Sequence, residues 1–92
     1  MENNSSSLEG IPNIGKVLAK QLEQIVVFSL SELQALGAEQ VFIRIKTIDP
    51  GACLSALCAL EGAIQGIRWH YLDNRRKLEL NEFYKMTSLN IK

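Results

Sequence analysis

Between Pro50 and Gln65 nearly every side chain is apolar or small: Cys53, Leu54, Ala56, Leu57, Cys58, Ala59, Leu60, Ala63 and Ile64, with Glu61 the only charge. A helix that is apolar on almost every side offers no face to water, so other elements must surround it. In a chain of 92 residues this leaves one plan: a single domain with one core built around the segment. There is little room for a second domain or a deep enclosed active site. Asp49 reads as the N-cap of this helix, Pro50 as its first residue and Gly66 as its stop. The alanines and Gly62 let neighbouring helices approach closely.

The flanking segments supply those neighbours. Val17, Leu18, Ala19, Leu22 and Ile25 recur at helical spacing and predict a helix near 14–25. After the apolar link Val26-Val27-Phe28, Ser29 reads as an N-cap and Glu32 completes a capping box. Phe28 and Leu33 take the positions of a hydrophobic staple, and Gly37 ends the helix after Leu36. Residues 38–48 carry two patterns. Val41, Ile43 and Ile45 alternate as in a strand, whereas Ala38, Val41, Phe42, Ile45 and Ile48 share one helical stripe. The stripe has more members and a lone strand would have no partner, so a helix is expected. Ile67–Leu72 connects to a last helix capped by Asp73 and ending near Tyr84. The expected architecture is all-α: about five short helices, a polar leader at 1–7, one domain at 8–85 and a frayed tail at 86–92.

Composition narrows the function classes. Apolar residues make up 47% and charged residues 22%, an ordinary globular balance. Glu61 and Gly62 interrupt the longest apolar run, which excludes a membrane-spanning helix. The polar, acidic start Met1-Glu2-Asn3-Asn4 does not read as a signal peptide. A cytoplasmic setting is expected, with Cys53 and Cys58, five residues and roughly 140° apart on one helix, as buried free thiols. Net charge is zero but unevenly spread. Residues 1–65 carry Lys16, Lys20, Arg44 and Lys46 against seven acids, and residues 66–92 carry six bases against Asp73, Glu79 and Glu82. A dedicated nucleic-acid binder usually shows an overall basic excess, because phosphate neutralisation supplies much of its affinity.

No catalytic, metal or cofactor set emerges. Gly10 through Val17 come within one residue of a phosphate-binding loop, but Val17 replaces the hydroxyl that would ligate magnesium and no strand precedes Gly10. His70 is the sole histidine and lacks companion ligands. Ser55 and Cys53 lack a base and an orienting group. Glu61 needs a partner if buried, and reads as a structural acceptor for Trp69 or a backbone amide. Arg75, Arg76 and Lys77 open the last helix, where the dipole disfavours positive charge. With Arg68 they form either a solvated face or a patch for an acidic partner or phosphate.

The stretch Ile11-Pro12-Asn13-Ile14-Gly15-Lys16-Val17-Leu18-Ala19-Lys20-Gln21-Leu22 resembles the turn and second helix of a helix-hairpin-helix. Glycine serves such a turn either by adopting conformations costly for other residues or by letting a partner approach the backbone. In DNA-binding examples, amides opening the second helix hold phosphate; here these belong to residues around Ile14, Gly15 and Lys16. Two further blocks follow: Phe28 through Glu39, and Cys53 through Trp69 with its Leu-Glu-Gly-Ala-Ile-Gln-Gly-Ile core. In this order, from Leu8 to about residue 84, they resemble the C-terminal domain of the TfoX (Sxy) family of DNA-transformation and competence regulators. The resemblance implies a helix-hairpin-helix or SAM-like helical fold. The chain has no room for the N-terminal α/β domain of longer members, so fold carries over further than competence activation.

The expected function is a non-catalytic module with a protein or DNA partner and no small-molecule cofactor. Contact is expected through Asn13, Ile14, Gly15, Lys16, Lys20, Arg68, Arg75 and Arg76. The alternatives are a DNA-binding module gripping phosphates at Ile14–Lys16, and a domain that self-associates as a homodimer to cover surplus apolar surface such as Ile43. Structural roles fall to Ser29, Gly37, Asp49, Pro50, Glu61, Gly66 and Trp69.

Overall fold

The structure, a computed structural model, describes residues 8–90, with side chains as far as Thr87. The expected leader at 1–7 and the last two residues of the expected tail lie outside the described residues. The described residues form an all-helical fold: α1 (Lys16–Gln24), α2 (Leu30–Leu36), α3 (Ala38–Ile48), α4 (Leu54–Gln65), a single 3₁₀ turn (Trp69–Tyr71) and α5 (Asn74–Asn90). No helix among them is long and apolar enough to cross a membrane.

The apolar segment is central, as its composition demands. Residues Leu57 to Ala63 of α4 are all buried, and α4 packs against α2, α3, α5 and the 3₁₀ turn. The ambiguous segment is a helix that buries Ala38, Val41, Phe42 and Ile45. Ile43 falls off this stripe and is exposed, and so is Ile48 at the helix end. Ser29 caps α2 by accepting a bond from the Glu32 amide at 3.1 Å. Glu32 returns its carboxylate to the Phe28 amide at 2.7 Å, one residue earlier than a standard capping box. Gly37, at φ 86°, ends α2 and opens α3.

Three expectations need correction. Asp49 and Pro50 do not start α4, which begins at Leu54 after Cys53. Asp49 instead closes α3, its amide bonded to the Ile45 carbonyl at 2.8 Å. Its side chain accepts from the Gly51 amide at 3.2 Å and from Gln21 Nε2 at 3.0 Å. The cause is Lys46, a buried cation whose Nζ donates to the carbonyls of Pro50 at 2.8 Å and Ala52 at 3.2 Å. These bonds hold 49–52 as a turn. Cys53 is therefore exposed at the helix start rather than buried, and only Cys58 is buried. Finally, α5 continues past Tyr84 and Met86 to Asn90.

Two helix ends share one solution with unequal residues. At the end of α4, Gly66 is left-handed at φ 75°, and the Gly66 and Ile67 amides return to the carbonyls of Ala63 and Gly62. At the end of α1, Val26 and Val27 make the same pair of bonds, to Glu23 at 3.0 Å and Leu22 at 2.8 Å. Both ends follow the Schellman pattern, but at α1 the left-handed position, φ 67°, is held by a β-branched residue. That conformation costs about 1–2 kcal/mol for a residue with a Cβ. Val26 is also 66% exposed, so it returns little by burial. Val26→Gly is expected to raise the unfolding free energy by about 1 kcal/mol, net of the glycine's greater freedom when unfolded, read from the urea midpoint.

Gly62 has the opposite constraint. A Cβ there would collide with Asn13 Nδ2 and lie 2.8 Å from the Ile67 carbonyl and 3.0 Å from the Trp69 amide. Two of these neighbours are backbone and cannot swing away. Alanine would gain about 1 kcal/mol of helix propensity over glycine yet displace a close helix contact. Gly62→Ala is therefore expected to destabilise the fold by about 2 kcal/mol net, measured by thermal or urea unfolding.

Candidate functional site

The chain enters α1 through two successive turns, with the Ile11 amide bonded to the Leu8 carbonyl at 3.2 Å and the Ile14 amide to the Ile11 carbonyl at 3.0 Å. In the second turn Pro12 precedes Asn13, which takes φ 74°, a conformation asparagine tolerates. The Asn13 carboxamide is bonded at both ends. Its Nδ2 donates to the Ile67 carbonyl at 2.8 Å and its Oδ1 accepts from the Trp69 amide at 3.1 Å. Asn13 thus acts as an internal clamp that fixes the start of α1 against the segment following α4. Ile14 is buried in the core.

What the clamp leaves free is the start of α1. Gly15 is its N-cap, no side chain caps the helix, and the first turn contains no acidic residue. The amides of Gly15, Lys16, Val17 and Leu18 have no partner among the described residues. Gly15 sits at φ −92°, an ordinary conformation, and a Cβ on it would meet nothing within 4 Å. Neither backbone strain nor internal packing requires glycine here.

Beside this turn lies a cleft of about 560 Å³ lined by Asn13, Gly15, Lys16, Val17, Leu18, Gln21, Ser55, Ala56, Ala59, Arg68, Trp69 and His70. Its cations are Lys16 and Arg68, both exposed, and no carboxylate lines it. Trp69 and His70 stack at 4.1 Å between ring centroids, 25° from parallel. The cleft therefore combines amide donors, two cations and an aromatic pair, which suits an anion attached to a planar group. At the start of α4, outside the lining, the Cys53 thiol is lowered below its usual range by a hydrogen bond with Ser55 and by the Ala56 amide. The buried Cys58 thiol is raised by burial.

Of the contact residues expected from the sequence, Asn13, Gly15, Lys16 and Arg68 meet at this cleft. Lys20 lies one turn further along α1 and is exposed, and Arg75 is exposed on α5. Arg76 is not available as a contact residue. Its guanidinium grips Glu39 at 2.8 and 2.9 Å, Glu61 at 2.9 Å and Glu79 at 3.1 Å. Glu61 accordingly finds its partner in Arg76 rather than in Trp69 or a backbone amide, and its second oxygen accepts from Gln65 Nε2 at 2.6 Å. Lys77 is likewise engaged, donating to the His70 carbonyl at 3.0 Å. Sequence reasoning missed Gln21, Ser55 and His70 as cleft residues. Their convergence depends on how α1, α4 and the 3₁₀ turn come together, which no local motif records.

The hydrogen bond from Arg76 holds the Glu39 carboxyl below its ordinary value of 4.5 and raises the arginine further from deprotonation. A lowered carboxylate stabilises the fold above its ordinary value and loses that contribution as pH falls through its lower folded value. Stability is therefore expected to drop on acidification below about pH 4.5, and Glu39→Gln to flatten that drop. Arg76→Ala, which strands the buried Glu61 carboxylate, is expected to cost about 3 kcal/mol at neutral pH. Urea unfolding across pH measures both.

Comparison with known proteins bears on the fold as a whole. The family model of the TfoX C-terminal domain matches residues 4–84. An uncharacterized protein from Listeria monocytogenes, crystallised in a triclinic form, superposes with a TM-score of 0.84 at 46% identity, covering 86% of this chain and 90% of that one. A protein of unknown function from Listeria monocytogenes, in a tetragonal form, gives 0.84 at 45% identity, covering 87% and 98%. No curated protein matches the chain.

Proposed function

The chain belongs to the TfoX C-terminal domain family, and from that premise we propose that it is a non-catalytic binding module that contacts nucleic-acid phosphates at the start of α1. The observation that carries this reading is the uncapped first turn, Gly15 to Leu18, opening beside Lys16 and Arg68 in a cleft without carboxylates. A helix start concentrates partial positive charge and free amide donors, the arrangement that holds phosphate. Lys16 adds a full charge at the same place, and Lys20 extends it along α1. A bare Gly15 lets a phosphodiester oxygen come within bonding distance of the amides.

Such a site gives modest affinity. With two cations at the cleft, few counterions are released, so binding is weak and moderately salt-dependent. This fits a chain whose overall charge is zero. Specificity for sequence is not expected from phosphate contacts alone.

A salt titration of oligonucleotide binding, followed by fluorescence anisotropy, tests the proposal. The expected log–log slope is about −2, and Lys16→Ala should reduce its magnitude by about 1. Gly15→Ala should weaken binding about tenfold by obstructing an amide bond to a charged group, yet leave unfolding within about 1 kcal/mol of the parent. No binding at low salt would overturn the reading. Self-association through exposed apolar residues such as Val26, Phe28 and Ile43 would then be the next explanation.

A further inference from the structure

The cleft holds more than a phosphate site requires. Trp69 and His70 form a stacked aromatic pair in its lining, with His70 exposed and Trp69 partly buried against the core. The Trp69 backbone is pinned by Asn13 Oδ1 and the His70 backbone by the Lys77 ammonium. The backbone that carries both rings is therefore fixed before any ligand arrives. The volume, about 560 Å³, lies within the roughly 300–1,000 Å³ of sites that take small organic groups. A phosphate alone would fill little of it.

Resting on the phosphate-binding reading, we propose that the cleft takes an unpaired base of a single-stranded nucleic acid, stacked on the Trp69–His70 pair, while Lys16 and Arg68 hold the phosphates flanking it. The duplex is disfavoured for a physical reason: its base faces are already stacked on each other, and only edges and backbone are presented. A single strand can turn a base out onto an aromatic platform, and stacking of this kind tolerates any base because each has a π-face. The polar side chains of the cleft support the same conclusion. Both polar atoms of the Asn13 amide are bonded within the chain, and Gln21 Nε2 is bonded to Asp49. With these amides engaged, recognition rests on an unstacked base more than on a sequence.

Trp69 is the only tryptophan, so its fluorescence reports the cleft directly. The full chain would be titrated with a short oligothymidylate, an abasic strand with the same number of phosphates, and a hairpin duplex, at one salt concentration. The expected result is quenching of Trp69 by the oligothymidylate and affinity at least about fivefold tighter than for the abasic strand or duplex. His70→Ala, at an exposed position, should weaken the oligothymidylate more than the abasic strand and so remove most of that advantage, whereas Lys16→Ala weakens all three ligands. Equal binding of thymidylate and abasic strands, or preference for duplex, overturns the stacking proposal and leaves the phosphate reading intact. Absence of binding to all three overturns both and directs attention to a protein partner.

Discussion

One carboxamide joins the two ends of the fold. Asn13 bonds the Ile67 carbonyl and the Trp69 amide, bridging residues more than fifty positions apart, and it passes so close to α4 that only glycine fits at position 62. The Ile67 amide is itself turned back onto Gly62 by the left-handed Gly66. The turn before α1, the end of α4 and the entry to the 3₁₀ turn are thus one mechanical unit. The cleft is its outer surface. Because the internal bonds satisfy Asn13 and the backbone around it, the amides left over are those at the start of α1, facing outward.

The second constraint meets α4 one residue away, at Glu61. A helix buried from Leu57 to Ala63 carries one carboxylate, Glu61, and a buried carboxylate requires a matched donor. Arg76 supplies it from α5 while also gripping Glu39 of α3. The guanidinium's planar fork spans partners on two helices, a geometry that a lysine ammonium does not reproduce. Lys46 plays a comparable part from α3, its ammonium held by two carbonyls and lying 5.9 Å from the rings of Phe42 and Tyr84. Polar groups therefore fix how the helices sit around α4, where apolar packing alone would tolerate several arrangements.

These two constraints explain what was legible beforehand. Local signals survived wherever the structure uses them locally: the Ser29 cap, Gly37 and Gly66 as stops, the apolar stripe of α3 and the centrality of α4. The Asp49-Pro50 pair misled because the Lys46 ammonium folds back onto the Pro50 and Ala52 carbonyls and Gln21, far off in the chain, takes the Asp49 carboxylate, drawing this segment into a turn. Arg76 misled for a similar reason. Beside Arg75 and Lys77 it resembles part of a basic patch, and nothing nearby in the chain reveals that Glu39 and Glu61 converge on it. At the site, the hairpin block pointed to Gly15 and Lys16 and the basic cluster to Arg68, but the aromatic wall contributed by Trp69 and His70 follows only from the docking of one helix start against another segment.

Zero net charge is, on this view, a poor guide to what the surface offers. The chain's acids and bases balance in number, but they do not balance in space. Glu39, Glu61 and Glu79 gather on Arg76, and Asp49 is occupied by Gln21 and Gly51. Those carboxylates are drawn to the α3–α5 side and to the turn before α4. The lining of the cleft is left with Lys16, Arg68 and the free amides of α1. Internal pairing sorts charge before any partner is met, and a neutral chain can present a locally cationic surface. The physical requirement is a partly buried cation that holds acids on one side. Arg76, anchored by Glu61 of the most apolar helix, meets it.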